Sequence, residues 1–249
     1  MAVIQNEFYK GKGTGYLRNK AGSLGFLPIG NASAIDLAFA LAKQEMQDYE
    51  NQGGGTADSI SSIESVSASI TLLNLNPENI ARVTAGASVA VAGGAVSAEV
   101  HTVASQGSFV KFLQVPDTDA TITVTGPSAT PSYVEGTDYE IRNGGILILE
   151  GDIAAAAGLE ITYTALASRT VEMLTEVGGE YEFYFDGLNE ARSGKPVLLT
   201  AHRVKINPTT ALKMISDDFA DAPFTIDLLR DNTITGSEKS KYVKIEMAG

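Results

Sequence analysis

The chain contains no cysteine and no tryptophan, and only two of its 249 residues are histidine. Without cysteine there is no disulfide, no thiolate nucleophile and no cysteine-ligated zinc, so packing alone must hold the fold. His101 and His202 stand far apart in sequence, and neither belongs to a metal-ligand spacing such as HxxxH. Positive charge is scarce too. Against 30 Asp and Glu there are 18 Lys and Arg, a net charge of −12. Gripping nucleic acid or an anionic membrane needs clustered cations, so this balance argues against both. Long apolar runs are also missing at the start, where Glu7, Lys10 and Lys12 interrupt the chain. That pattern predicts neither a signal peptide nor a membrane span.

Catalytic patterns are equally thin. The stretch GKGTGY at Gly11–Tyr16 looks like a phosphate loop, but Gly13 follows Lys12 where Ser or Thr is needed, and no helical periodicity comes after it. It reads as a flexible glycine-rich arm, docked by a short strand at Leu24–Ile29. The acidic cluster Asp217, Asp218 and Asp221 lacks the tight-turn glycine of a calcium loop and reads as a solvated turn. No serine is framed as a nucleophile elbow. The expectation is a protein with no enzymatic activity, no cofactor and no metal.

What the chain does have is period-two alternation. Between Thr170 and Asp231, Tyr181, Phe183 and Phe185 alternate with Glu182, Tyr184 and Asp186, and Phe224, Ile226 and Leu228 alternate with Thr225, Asp227 and Leu229. Both runs predict half-buried strands, with a third strand over Val197–Ile206 between them. Earlier, Ile35, Leu37, Phe39 and Leu41 alternate with Ala34, Asp36, Ala38 and Ala40, predicting a core face and an open face. A second run places Ile60, Val66, Ala68, Ile70 and Leu72 on one face and Ser61, Ser65, Ser67, Ser69 and Thr71 on the other. The two runs read as one long hairpin with a flexible tip at Gly53, Gly54 and Gly55. Its open side carries alanine, serine and one carboxylate, smaller groups than a solvent-facing sheet usually shows, which suggests a second surface nearby.

One helix is signalled. Asn76 is a good N-cap, Pro77 suits the first helical position, Glu78 complements the positive helix end and Gly86 closes it. Leu75 and Ile80 stand at hydrophobic-staple positions. So short a helix is marginal alone in water, so Ile80, Val83 and Thr84 should dock it on a sheet. Residues 87–105 are Ala, Val, Gly and Ser, compatible with a strand pair or an ordered loop. From Phe109 come short strands bounded by turns, including the hairpin signal Asn143-Gly144-Gly145, whose residues accept positive φ. These predict a small β-sandwich at 105–168, inserted into a larger domain made of 1–104 and 169–249.

Several segments, taken in order, carry a resemblance. They are Asn76-Pro-Glu-Asn-Ile-Ala ending at Gly86, DYEIRNGGILIL with LEITYTA, Phe185-Asp-Gly-Leu-Asn, Gly-Lys-Pro at 194–196, HRVKINP, ISDD and LLRD. Together they resemble the tail tube proteins of long-tailed, siphovirus-type bacteriophages across most of residues 33–231. The resemblance implies a mainly β subunit of the tail-tube sandwich or barrel type, with one short α-helix and an inserted small Ig-like β-sandwich. It implies stacked rings, typically hexameric, that enclose a tape-measure protein and conduct DNA. It also implies contacts with tail terminator and tail tip or baseplate proteins, a place in the virion tail after assembly in the host bacterial cytoplasm, and no membrane partner.

Under that resemblance the open hairpin face lines the lumen, with Asp36, Ser65, Ser67, Ser69 and Thr71 as its candidates. Small and acidic groups there would let DNA slide, where a cationic wall would hold it. The tip, with Asp48, Tyr49, Glu50, Gly53, Gly54, Gly55 and Asp58, becomes the candidate contact between subunits or rings. Two rivals stand beside this reading. One is the inner tube of a contractile tail or secretion system, whose close-fitting sheath an inserted sandwich would obstruct. The other is an Ig-like surface adhesion or carbohydrate-binding module, which would be expected to show exposed aromatics and an export signal.

Overall fold

A computed structural model of the chain describes residues 8–248. Glu7 and the expected domain limits at residues 1 and 249 lie outside the described residues. The fold is mainly β. In chain order it begins with β1 (Gly11–Asn19), β2 (Leu27–Pro28), β3 (Ala32–Gln47) and β4 (Thr56–Leu72), then helix α1 (Pro77–Val83) and β5 (Ala87–Val91). Next come β6 (Gly94–Thr102), β7 (Phe109–Lys111), β8 (Thr123–Thr125), β9 (Tyr139–Arg142), β10 (Gly145–Ile148) and β11 (Gly158–Ala165). The last are β12 (Ser168–Glu172), β13 (Glu180–Asn189), β14 (Lys195–Asn207), β15 (Ala222–Leu228) and β16 (Val243–Met247).

Two compact units result. One runs to Ser88 and resumes at Val171, and the other is Val89–Thr170. The second unit thus begins ahead of Ser105, because β6 pairs along β11 and shares its core. Within residues 87–105 lie two strands of different sheets: β5 pairs with β12, the strand by which the chain returns, and β6 pairs with β11.

The first unit is one antiparallel sheet in the order β2-β1-β13-β14-β15-β4-β3, with β16 pairing the first half of β14. Alternation decides burial in β15, where Ala222, Phe224, Ile226 and Leu228 are buried and Pro223, Thr225 and Asp227 are exposed. Phe183 is buried with Tyr181 and Phe185 packed against the same core. Each large side chain buried this way, such as Ile70, Phe183 or Ile226, contributes about 1.5–3 kcal/mol.

Gly11–Tyr16 is not a flexible arm. It belongs to β1, which pairs with β13 along its full length, from Gly11 opposite Asn189 to Asn19 opposite Tyr181. Its glycines serve close approach: a Cβ on Gly13 would run into the Asp186 carbonyl, and one on Gly15 would lie 2.7 Å from Ile29 Cδ1. The strand expected at Leu24–Ile29 shortens to Leu27–Pro28, and Ile29 is fully buried.

Helix α1 starts as its sequence predicts, with the Asn76 side chain accepting from the Asn79 N–H at 2.8 Å. Its docking face differs in part: Val83 and Thr84 are buried as expected, and Ile80 is only half-buried. Asn79 and Ala81 are buried as well. Asn79 can occupy the buried position because its amide donates to the Ile29 and Asn74 carbonyls at 2.8 Å each and accepts from Arg82 at 2.8 Å. At the other end Ala85, not Gly86, is left-handed, with φ 46. The Gly86 N–H donates to Ala81 and that of Ala85 to Arg82, a Schellman end. Glycine is needed at 86 for space, since a Cβ there would strike the Glu172 carbonyl.

The second unit holds two three-stranded sheets, β7-β10-β9 and β6-β11-β8, around one core. Phe112 and Tyr163 stack in it with ring centroids 4.6 Å apart. Asn143 and Gly144 join β9 to β10 as a two-residue hairpin, but neither takes a positive φ. The demand for glycine falls on Gly145, whose Cβ would strike the Val110 carbonyl. Glu99 is buried beside a bulge where Ala98 has φ 50. Its carboxylate accepts from Tyr163 Oη and bonds His101 Nε2, both at 2.6 Å, and accepts from the Leu113 N–H at 2.9 Å. Burial and the bond to Glu99 push the Tyr163 phenol up to about 12. His101 is therefore a partner of a buried carboxylate.

Candidate functional site

The hairpin β3/β4 carries most of the predicted site residues, and its pairing decides which of them meet. Thr71 lies opposite Ala34, Ser69 opposite Asp36, Ser67 opposite Ala38 and Ser65 opposite Ala40. Opposed residues share a face, so all five lumen candidates are brought onto one side, exposed or half-buried. The face extends further than parity within the hairpin could reveal. On the next strand Pro223, Thr225 and Asp227 stand beside Thr71, Ser69 and Ser67, and beyond them lie Asn207 and Lys205 on β14. Asn207 Nδ2 donates to Thr225 Oγ1 at 3.3 Å. Lys205 in turn stands opposite Glu180, whose carboxyl is held below its usual range chiefly by its hydrogen bond with Arg203. The result is a four-strand surface of small polar and apolar groups, with Asp36, Asp227 and Lys205 spaced across it.

The other face of the hairpin departs from expectation. Ile35 and Leu37 are half-buried and Val66, Ala68, Ile70 and Leu72 are buried, but Phe39 is 63% and Leu41 64% exposed. A register shift explains part of this: Ala40 opposes Ser65, Leu41 opposes Ile63, and Glu64 is the extra residue between. Past that bulge the parity of β4 reverses. Ile60 opposes Gln44 and so leaves the face it shared with Val66 in the sequence pattern. Loss of a neighbour explains the rest. Strand β15 pairs with β4 only from Ser67 to Leu72, so β3 from Phe39 and β4 up to Val66 continue as a two-stranded arm. At about 3.3 Å per residue the arm runs roughly 30 Å beyond the sheet. Phe39, Leu41 and Ile63 are exposed on one face and Met46 and Ile60 on the other.

The tip is a built turn. Gly53, Gly54 and Gly55 all have positive φ and open space around them. The Asp48 carboxylate accepts from the N–H of Glu50 at 2.8 Å and of Asn51 at 3.2 Å, and from Asn51 Nδ2 at 2.6 Å. These bonds, the Asn51 side chain first, hold its carboxyl below the usual range. Tyr49 beside it is 89% exposed, Glu50 is exposed, and Asp58 turns back to its neighbour's backbone, accepting from the Ser59 N–H at 2.7 Å.

Among the described residues no group of His, Cys, Asp and Glu is arranged to hold a metal ion, and no helix is long and apolar enough to cross a membrane. Asp221 is paired with Lys213 at 2.7 Å. The cap residues Asn76 and Pro77 and the docked Val83 serve helix placement, with Thr209 donating its N–H to the Val83 carbonyl at 2.7 Å.

Residues 8–246 match the family described as "Protein of unknown function UCP028589". The chain belongs to that family. The match spans both compact units. No curated protein matches the sequence.

Proposed function

We propose that the chain is the structural subunit of a bacteriophage tail tube of the non-contractile type. Copies close into rings, expected to be hexameric, and the rings stack into a conduit that encloses the tape-measure protein and carries the genome during ejection. The observation that supports this reading best is the β3/β4 arm. A two-stranded ribbon is marginal by itself in water, an unpaired edge invites another strand, and apolar side chains exposed on both faces ask for cover. Neighbouring copies of the same chain answer all three needs, and ring closure leaves no edge open.

The second support is chemical. A wall of Ala, Ser and Thr with Asp36 and Asp227 sets two carboxylates against the one cation Lys205, and DNA presents one charge per roughly 1.7 Å of axis. Six copies of a chain with net charge −12 would form a surface that repels DNA over a Debye length and holds it nowhere. In this role the partners are the chain itself, the tape-measure protein, the tail terminator and the tail tip, and the place is the virion tail after assembly in the host cytoplasm.

Electron microscopy of the negatively stained protein at rising concentration, beside sedimentation velocity, tests the proposal. Rings or tubes are expected. A monomer at every concentration would overturn it and favour a binding module carried by the Val89–Thr170 unit.

A further inference from the structure

Between β14 and β15 residues 208–221 form neither strand nor helix. Loops of that length without structure are uncommon in compact domains and are mostly functional. This one is tied at its ends: Thr209 Oγ1 donates to the Pro223 carbonyl at 2.7 Å, and Lys213 bonds Asp221 at 2.7 Å. Between the ties it displays Met214, Ile215 and Phe219, which are 83%, 97% and 100% exposed. Three large apolar side chains held out on an anchored loop have no packing role in their own unit.

The same unit holds a groove of about 730 Å³, a size that takes a cluster of side chains or a small ligand. Its apolar lining includes Phe185, Val197, Leu199, Ile245 and Met247, and residues 32–37 of β3 form one wall. Lys12 lies at the β1 side of the groove, where Lys10 and Lys12 share the single carboxylate of Glu190 at 2.9 Å each. That side is net positive. The loop has the opposite balance, with Asp217, Asp218 and Asp221 against Lys213. Asp36 stands on the far wall.

We infer that the 208–221 loop of one copy inserts Met214, Ile215 and Phe219 into this groove of a second copy, with Asp217 and Asp218 directed at the Lys10–Lys12 side. The inference rests on the self-assembly reading and names one contact within it. Loop and groove share no residue, so each copy gives one and receives one, and a contact repeated head to tail propagates around a ring or along a stack.

The absence of cysteine makes the test clean. Ile215→Cys and Ile245→Cys change exposed residues and are prepared as separate proteins, mixed, concentrated and treated with a mild oxidant. A reducible dimer whose mapped disulfide joins 215 to 245 is expected, and only a contact between copies can form it. Phe219→Glu should weaken association by about tenfold or more, as loss of a central apolar anchor does, with unchanged melting. If the mixture sediments as assemblies without the 215–245 link, or Phe219→Glu assembles normally, the loop contact is wrong and self-assembly stands. If the unmodified protein never sediments above a monomer, both fail.

Discussion

The inner and outer halves of the β3/β4 hairpin are built from the same two strands with the same alternating chemistry, and they end in opposite environments. In the inner half Ala68, Ile70 and Leu72 are buried, with β15 paired alongside from Ser67 to Leu72. In the outer half Phe39, Leu41, Ile60 and Ile63 are all more than half exposed. Alternation assigns side chains to faces, but a face becomes core only where something covers it. The inner half finds its cover within the chain, and the outer half finds none among the described residues; in the assembly proposed above a neighbouring copy would supply it.

The sharpest way to break this comparison is truncation at matched positions. Ile70→Ala should lower stability by about 2–5 kcal/mol, while Ile60→Ala should change the monomer by no more than about 0.5 kcal/mol. Urea unfolding of the two variants decides it, and a large loss at Ile60 would mean the arm is already covered within the monomer.

Assembly should reverse the ranking. Deleting Asp48–Asp58, or replacing Phe39 and Ile63 together by Ser, should abolish rings and tubes and leave the melting temperature of the monomer within a few degrees of the parent. Differential scanning calorimetry beside electron microscopy separates the two effects. Tubes formed by either variant would show that the arm is not the contact.

A smaller effect belongs to the base of the sheet. Asn76→Ala removes the helix cap beside the inner strands and should cost about 1 kcal/mol, read from the shift of the urea midpoint.

The carboxylates sharpen the contrast through pH. Asp231 is buried and accepts from Lys20 Nζ at 2.8 Å, from Thr233 Oγ1 at 2.6 Å and from the Thr233 N–H at 3.0 Å. These bonds, that of Lys20 first, hold its carboxyl well below the usual range. A depressed folded pKa means stability that is present above the unfolded value of about 4 and is lost as pH falls below it. Asp231→Asn should flatten that acid dependence. Asp48→Asn should alter it far less, because Asp48 bonds only to Glu50 and Asn51 within its own turn and ties no distant segments together. Equal effects would dissolve the distinction between base and tip.

The last expected effect leaves stability alone. Ser67→Lys with Ser69→Lys places two cations on the open face of the inner half, away from the groove, and tubes should still form but retain duplex DNA at low salt, with retention fading as salt rises. Loss of assembly without any DNA retention would make that face a subunit contact.

Much of this was legible residue by residue. The strands around Phe183 and Phe224, the long hairpin, the N-cap at Asn76 and the face shared by Asp36, Ser65, Ser67, Ser69 and Thr71 all follow from local rules of period, cap and turn. They depend on neighbours a few positions away, and a sequence displays those directly. Other features depended on what lies across space. Gly13, Gly86 and Gly145 are glycine because a distant carbonyl approaches each of them. Asn79 is buried because two carbonyls from separate segments reach its amide. Ile60 changes faces because one extra residue, Glu64, interrupts the register, and Phe39 is exposed because β15 ends its pairing at Ser67. A linear pattern records which side a residue takes; whether that side meets another strand, a carbonyl or open solvent is settled only when the sheet is assembled, because burial is a property of the covering surface.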